Sequence, residues 1–78
     1  FLMEQFLESI KLINNISEGS IYKEYGIILK AEIYDFKLND NIEAINSYNE
    51  FLDLFTNSIY YESIRLRLRE LVNKELDL

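Results

Sequence analysis

Apolar residues recur along this chain at spacings of three and four, in four separate runs. Leu2, Met3, Phe6, Ile10 and Ile13 share one helical face, with Glu4, Glu8 and Lys11 opposite. That pattern predicts a helix over about 1–14, with no capping residue at its start. The run Asn14–Ser20 predicts a turn. Gly and Asn there can close a helix in the left-handed region, and Ser17 or Ser20 can cap the next one. The second helix, about 20–37, carries two stripes. Tyr22, Tyr25, Leu29, Ile33 and Phe36 form the wider one, and Ile27, Ala31 and Tyr34 the narrower. A helix apolar on two faces is expected to pack between two neighbours. Gly26 and Ala31 are small enough to let another helix approach closely.

The third run is the cleanest. Ala44, Ile45, Tyr48, Phe51, Leu52 and Phe55 cover one side of a helix over about 41–55, and Glu43, Asn46, Asn49, Glu50 and Asp53 cover the other. Asp40 followed by Glu43 fits a capping box. Thr56-Asn57-Ser58 predicts a third turn with Ser58 as cap. The fourth helix, about 58–74, places Tyr60, Ile64, Leu68, Leu71 and Val72 on one stripe. Its segment Ile64–Arg69 also alternates strictly, which is a strand signal. Helix wins because the run is short, good helix formers flank it and no other strand exists to pair with it. Glu62 to Arg65 and Glu70 to Lys74 are helical charge spacings. Residues 73–78 are expected to fray.

Composition narrows the function. The 78 residues make one domain, and a hydrophobic content of 49% with six Tyr and five Phe is enough to fill helix seams. There is no Cys and no His. Within this chain, cysteine catalysis, zinc fingers, His-ligated haem and a Ser-His-Asp triad are therefore excluded. No cofactor or metal is expected. The chain is acidic, with net charge −6, so a phosphate backbone is repelled and nucleic acid is not the expected partner. No apolar run approaches the roughly 18 residues that cross a bilayer, so direct membrane insertion is not expected. The lack of Cys fits cytosol and periplasm equally. Phe at position 1, at the head of an uncapped helix, is what a piece of a longer or processed chain looks like.

Ser20-Ile-Tyr-Lys-Glu24 matches Ser58-Ile-Tyr-Tyr-Glu62 at a shift of 38. The same shift lays Ile33 on Leu71, Glu32 on Glu70, Phe6 on Ala44, Ile10 on Tyr48 and Ile13 on Phe51. A two-helix repeat of this length is how solenoids are written. Within it, Ala31, Tyr34, Ala44 and Tyr48 resemble the packing positions of a tetratricopeptide repeat (TPR). Thr56 stands where that pattern has Pro and Ile27 where it has Trp, and the span from Tyr34 to Ala44 is one residue long. The likeness covers roughly 20–71. Phe55-Thr-Asn-Ser58 and Arg65–Leu71 look similar to the C-terminal repeat of bacterial TPR proteins. The resemblance implies an assembly scaffold, with the cell envelope or periplasm favoured over the cytoplasm.

Candidate site residues follow. Arg65, Arg67 and Arg69 form the only basic patch. They could grip an acidic peptide or a C-terminal carboxylate, or pair with acids nearby. Tyr22, Tyr25 and Tyr61 are the partner-binding tyrosines; the alternative for all six tyrosines is packing between helices with the hydroxyl at the rim. Glu4 with Glu8, and Glu50 with Asp53, read as solvated faces rather than acid–base pairs or calcium ligands. No phosphate loop or nucleophile motif occurs, so no catalytic residue is named. Ile59 and Leu66 lie off the fourth helix's main stripe. Two repeats should leave apolar surface open to more of the same chain, another copy or a different protein.

The expectation is all-α: a four-helix, two-hairpin, TPR-like solenoid fragment. It would bind a protein or peptide in a groove between the second and fourth helices, with aromatic anchors and an Arg rim. The alternative is a homo-oligomerisation module that closes its apolar faces on another copy.

Overall fold

The computed structural model describes the backbone of residues 2–76 and the side chains of 3–76. What was expected of Leu2's side chain and of residues 77–78 lies outside that range. Four helices appear: α1 (Leu2–Asn14), α2 (Tyr22–Glu32), α3 (Asn41–Leu54) and α4 (Tyr61–Leu76). Among the described residues there is no strand. The molecule is a slab of 37 × 36 × 14 Å. That thickness is two packed helices deep, given roughly 9 Å between axes and about 2.3 Å of Cα radius on each side.

The helices zigzag. α1 packs on α2, α2 on α3 and α3 on α4, and no Cα of α2 lies within 8 Å of one in α4. The core runs through the α2–α3–α4 part. Ile27, Phe51 and Leu71 are completely buried, with Ala31 and Ala44 beside them. The two alanines let α2 and α3 approach closely. Gly26 does the same for α1: a Cβ there would sit 2.9 Å from Ile16 Cδ1 and 3.3 Å from Ile13 Cγ2.

Several boundaries depart from expectation, each for a local reason. The predicted helix 20–37 is α2 followed by a π turn, Ile33–Lys37. The Leu38 N–H donates to the Ile33 carbonyl at 2.9 Å, a bond five residues long. One extra residue is thereby absorbed between Tyr34 and Ala44. Asn39 then takes the left-handed conformation (φ 53°) that breaks the chain into α3. No glycine has positive φ, so the first turn closes without the left-handed residue expected there.

Asp40 caps α3, its Oδ1 accepting from Glu43 N at 3.2 Å. The reciprocal half of the capping box is pre-empted, because Asp40 N–H donates to the Tyr34 carbonyl at 2.8 Å. α4 starts at Tyr61 rather than Ser58 and continues through the residues expected to fray, as far as Leu76. Ser58 instead nucleates a preceding turn. Its Oγ accepts from Tyr60 N at 3.0 Å, and its carbonyl accepts from Tyr61 N at 3.1 Å.

The turn before α2 is a copy of that one. Ser20 Oγ accepts from Tyr22 N at 3.1 Å, and Ser20 O accepts from Lys23 N at 3.1 Å. The serines' own amides donate to Ser17 O and Phe55 O. The repeat read at a shift of 38 is therefore present in backbone geometry as well as in letters.

Candidate functional site

Most of the wider stripe faces away from the core; of its members only Ile33, on the π turn, is buried. Ile27 and Ala31, from the narrower stripe, are fully buried, and Tyr34 packs beside them. Tyr22, Tyr25, Leu29 and Phe36 are 50–68% exposed. At 100° per residue Tyr22, Tyr25 and Leu29 lie on one ridge of α2 with Glu32 beside them, and Phe36, on the π turn, lines the same trough as Leu29. Lone exposed apolar residues are ordinary, but a contiguous aromatic ridge is not.

A groove runs along each flank of the ridge. On the α1 side a trough of about 530 Å³ is lined by Phe6, Ser9, Leu29, Ile33, Phe36 and Lys37, with Glu32 on its edge. On the α4 side a smaller groove of about 360 Å³ lies between Tyr25, Ile28 and Glu32 of α2, Tyr60 of the preceding turn, and Ser63 and Ile64 of α4. Tyr25 and Tyr60 meet edge to face, centroids 6.0 Å apart, at one end of it. Contact with Tyr25 pushes the Tyr60 phenol above its usual pKa.

An ionic cluster that periodicity alone does not reveal joins the π turn to α3 and α4. Asp35 lies on the π turn with its side chain 1% exposed. Its Oδ1 and Oδ2 each accept from Arg67, from Nη2 and Nε at 2.7 Å, and Oδ2 also accepts from Tyr48 Oη at 2.8 Å. The Arg67 guanidinium lies 5.0 Å over the Phe36 ring and reaches Glu70 at 3.2 Å. Burial pushes the Asp35 carboxyl upward, but the bonds from Arg67 and Tyr48 outweigh it and hold the group below the ordinary aspartate value. Burial and the same carboxylate push the Tyr48 phenol far up. An acid inside the apolar run Ile33-Tyr-Asp-Phe36 is the one sequence signal that could have singled out Asp35, because its partner lies 32 residues away.

The six site candidates divide between places. Tyr22 and Tyr25 belong to the ridge. Arg67 borders it but is committed to Asp35, so it is not a free cationic rim. Arg65 and Arg69 are two residues from Arg67 on either side, about 200° around α4. Half-buried Tyr61 shares their face. Arg65 holds Glu62 through Nη2 at 2.9 Å, while Arg69 is exposed. The expected three-arginine patch is therefore split over opposite faces of one helix.

Two further lysines are structural. Lys23 is buried against the end of α1, donating to Ile16 O at 3.4 Å with Glu18 3.6 Å away. Lys30 joins Asn14, at the end of α1, to Glu50 of α3 at 3.0 and 2.8 Å. Among the described residues no group of three or more Asp or Glu side chains could hold a metal ion. No helix among them is long and apolar enough to cross a membrane. No protein-family model matches the chain, and neither a curated protein nor a solved structure matches it significantly.

Proposed function

We propose that this domain is a non-enzymatic protein-interaction module, a helical-hairpin scaffold of the TPR kind whose docking surface is the α2 ridge. The observation that carries the reading is the exposure of Tyr22, Tyr25, Leu29 and Phe36 on one face, with a groove on either side. Tyrosine and phenylalanine give large contact area at low entropic cost and are favoured at interface centres. The scaffold beneath is rigid, because Asp35, Arg67 and Tyr48 lock the π turn to α3 and α4.

The ridge differs from the acidic-peptide grip that the arginines suggested, since Arg65 and Arg67 are both neutralised within the chain. Its recognition chemistry is aromatic and aliphatic, with Glu32 and Lys37 bordering the trough and Arg67, already paired with Asp35, over Phe36.

The test is selection of binders from a random peptide library on the immobilised domain. Selected peptides should lose binding to Tyr25→Glu and to Leu29→Glu, changes at exposed positions that leave the helical circular dichroism unaltered. Peptides that bind the variants as well as the parent would place the docking surface elsewhere.

A further inference from the structure

The internal repeat specifies what covers the ridge. Residues 58–67 meet α2 and the π turn through several side-chain contacts. Ser58 Oγ donates to Glu24 at 2.9 Å, the Tyr60 ring meets Tyr25, and Arg67 grips Asp35. Moved back by 38 residues, the α4 side of that interface becomes Ser20, Tyr22 and Leu29. Tyr22 and Leu29 belong to the exposed ridge, and Ser20 caps the turn that leads into it. So the ridge is the vacant equivalent of a surface that is occupied elsewhere in the same molecule. Ser20 makes the same turn bond as Ser58 but lacks the carboxylate acceptor that Glu24 gives to Ser58.

Moved forward by 38 residues, the α2 side of the interface becomes Glu62, Ser63, Leu66 and Asn73 on α4. Two of these four, Glu62 and Leu66, reproduce what the occupied surface offers, while Ser63 stands opposite Tyr22 where Tyr25 gives Tyr60 a ring. Glu62 is an exposed carboxylate for Ser20, and Leu66 is an aliphatic side chain left 49% exposed where Ile28 is half-buried. The charges also match. Arg67 and Asp35, a pair inside the chain, are replaced by Leu29 and Asn73, both neutral, so neither side would strand a charge.

We propose that the occupant is a second copy of this chain, stacked head to tail. The α2 ridge of one copy would sit on the Glu62–Leu66 face of α4 of the next. This rests on the reading of the ridge as a docking surface and names its partner. The contact is heterologous, so it propagates into a filament or ring rather than closing as a twofold dimer.

One substitution sets its strength. Ala31 and Ala44, the small pair in the core between α2 and α3, correspond across the new junction to Arg69 and Phe6. Two large side chains hold the copies farther apart than the two hairpins within one copy, so the stacking is weak and reversible.

The experiment is light scattering over a concentration series on four proteins. The parent chain should gain mass with concentration and pass beyond a dimer. Arg69→Ala, at an exposed position, should assemble at about tenfold lower concentration. The head variant Tyr22→Glu/Leu29→Glu and the tail variant Leu66→Glu should each stay monomeric, yet form a one-to-one heterodimer when mixed, because each retains the surface the other has lost.

A parent and an Arg69→Ala variant that are both monomeric throughout would overturn the stacking. So would a dimer that the head variant abolishes and the tail variant leaves intact, since that is ridge against ridge. A monomer whose ridge still takes selected peptides leaves the docking surface standing without self-assembly. A monomer whose peptides ignore the ridge overturns both.

Discussion

Leu29 and Arg67 occupy equivalent positions in the two hairpins, and their surroundings differ in every respect. Leu29 is half exposed on the α2 ridge; Arg67 reaches across to α2, binds Asp35 with two hydrogen bonds and covers Phe36. The hairpin turns leading into α2 and α4 are the same, and the same faces of α2 and α4 pack on α1 and α3. What differs is how well each hairpin is filled. Phe51 and Leu71 are completely buried between α3 and its neighbours, whereas their counterparts Ile13 and Ile33 retain slight exposure, and Ile33 lines an open trough. α1 touches only α2 and the π turn, while α3 is held on both sides. A repeated plan thus yields one hairpin that carries the core and another that presents a surface.

The largest test of that contrast is truncation at the matched pair. Phe51→Ala removes a fully buried ring from the centre of the core and should cost about 4 kcal/mol. That is most of the stability expected of a domain this small, so the chain should be barely stable, with an unfolded fraction visible at 25 °C and a strongly lowered melting temperature by circular dichroism. Ile13→Ala should cost about 2 kcal/mol, because Ile13 keeps slight exposure and its helix packs on α2 and the π turn alone. Its effect should be local, with amide exchange in α1 rising while α3 stays protected. Equal losses at the two positions would mean that the hairpins are equally load-sharing and that the contrast is wrong.

The second test separates the two members of the Leu29–Arg67 pair. Arg67→Ala leaves the Asp35 carboxylate buried without a counter-ion and should cost about 3 kcal/mol. Leu29→Ala should stay within about 0.5 kcal/mol, as surface changes do. The cluster also has a pH signature. Asp35 titrates lower in the folded state than in the unfolded chain, where its ordinary value is 3.8. Its stabilisation is therefore fully present above that value and lost as pH falls through the lower folded one. Urea midpoints measured from pH 5 down to pH 2 should fall less steeply for Asp35→Asn than for the parent. Parallel curves would mean that the buried pair does not drive the acid response.

How much of this was legible depended on whether a feature is local. The four helices were, because Ile10/Ile13, Ala44/Tyr48/Phe51 and Ile64/Leu68/Leu71 each satisfy a helical period within one element. So was the repeat, through Ser20 and Ser58, and so was the Asp40 cap. The orientation of α2 was not. Its two apolar stripes predicted two neighbours and its Tyr22 and Tyr25 were partner-binding candidates, but the pattern did not show that Leu29 and Phe36 stay exposed beside them. Periodicity finds an apolar face without saying whether a neighbour exists to cover it. The arginines were legible in part: the pairing of Arg65 with Glu62 was read from its helical spacing, but not the separation of the three. Arg65, Arg67 and Arg69 are adjacent in the alternating run, yet a helix turns them to opposite sides, and Asp35, which claims Arg67, is remote in sequence and aimed inward by a π turn that no local pattern announces.

The smallest effect is at the two serines, and it isolates a single hydrogen bond. Ser20 and Ser58 make the same two turn bonds, with the side-chain acceptor at 3.1 and 3.0 Å from its amide. Only Ser58 also donates to a carboxylate, Glu24, at 2.9 Å. Alanine at either site removes the turn acceptor and should cost about 0.5–1 kcal/mol, the ordinary value of a capping serine. At Ser58 the change also takes away the bond to Glu24, and half-burial there should add about 0.5 kcal/mol. In a dilute monomer Ser58→Ala should therefore be the more damaging of the two by that margin in denaturant melts. The margin should close when Glu24→Gln is the background, because a neutral acceptor weakens the bond that distinguishes the sites. It should also shrink as protein concentration rises, since each Ser20 in a stack would gain the carboxylate of Glu62 and become worth as much as Ser58. A margin that persists unchanged in both conditions would mean that the turns differ in something other than that one acceptor.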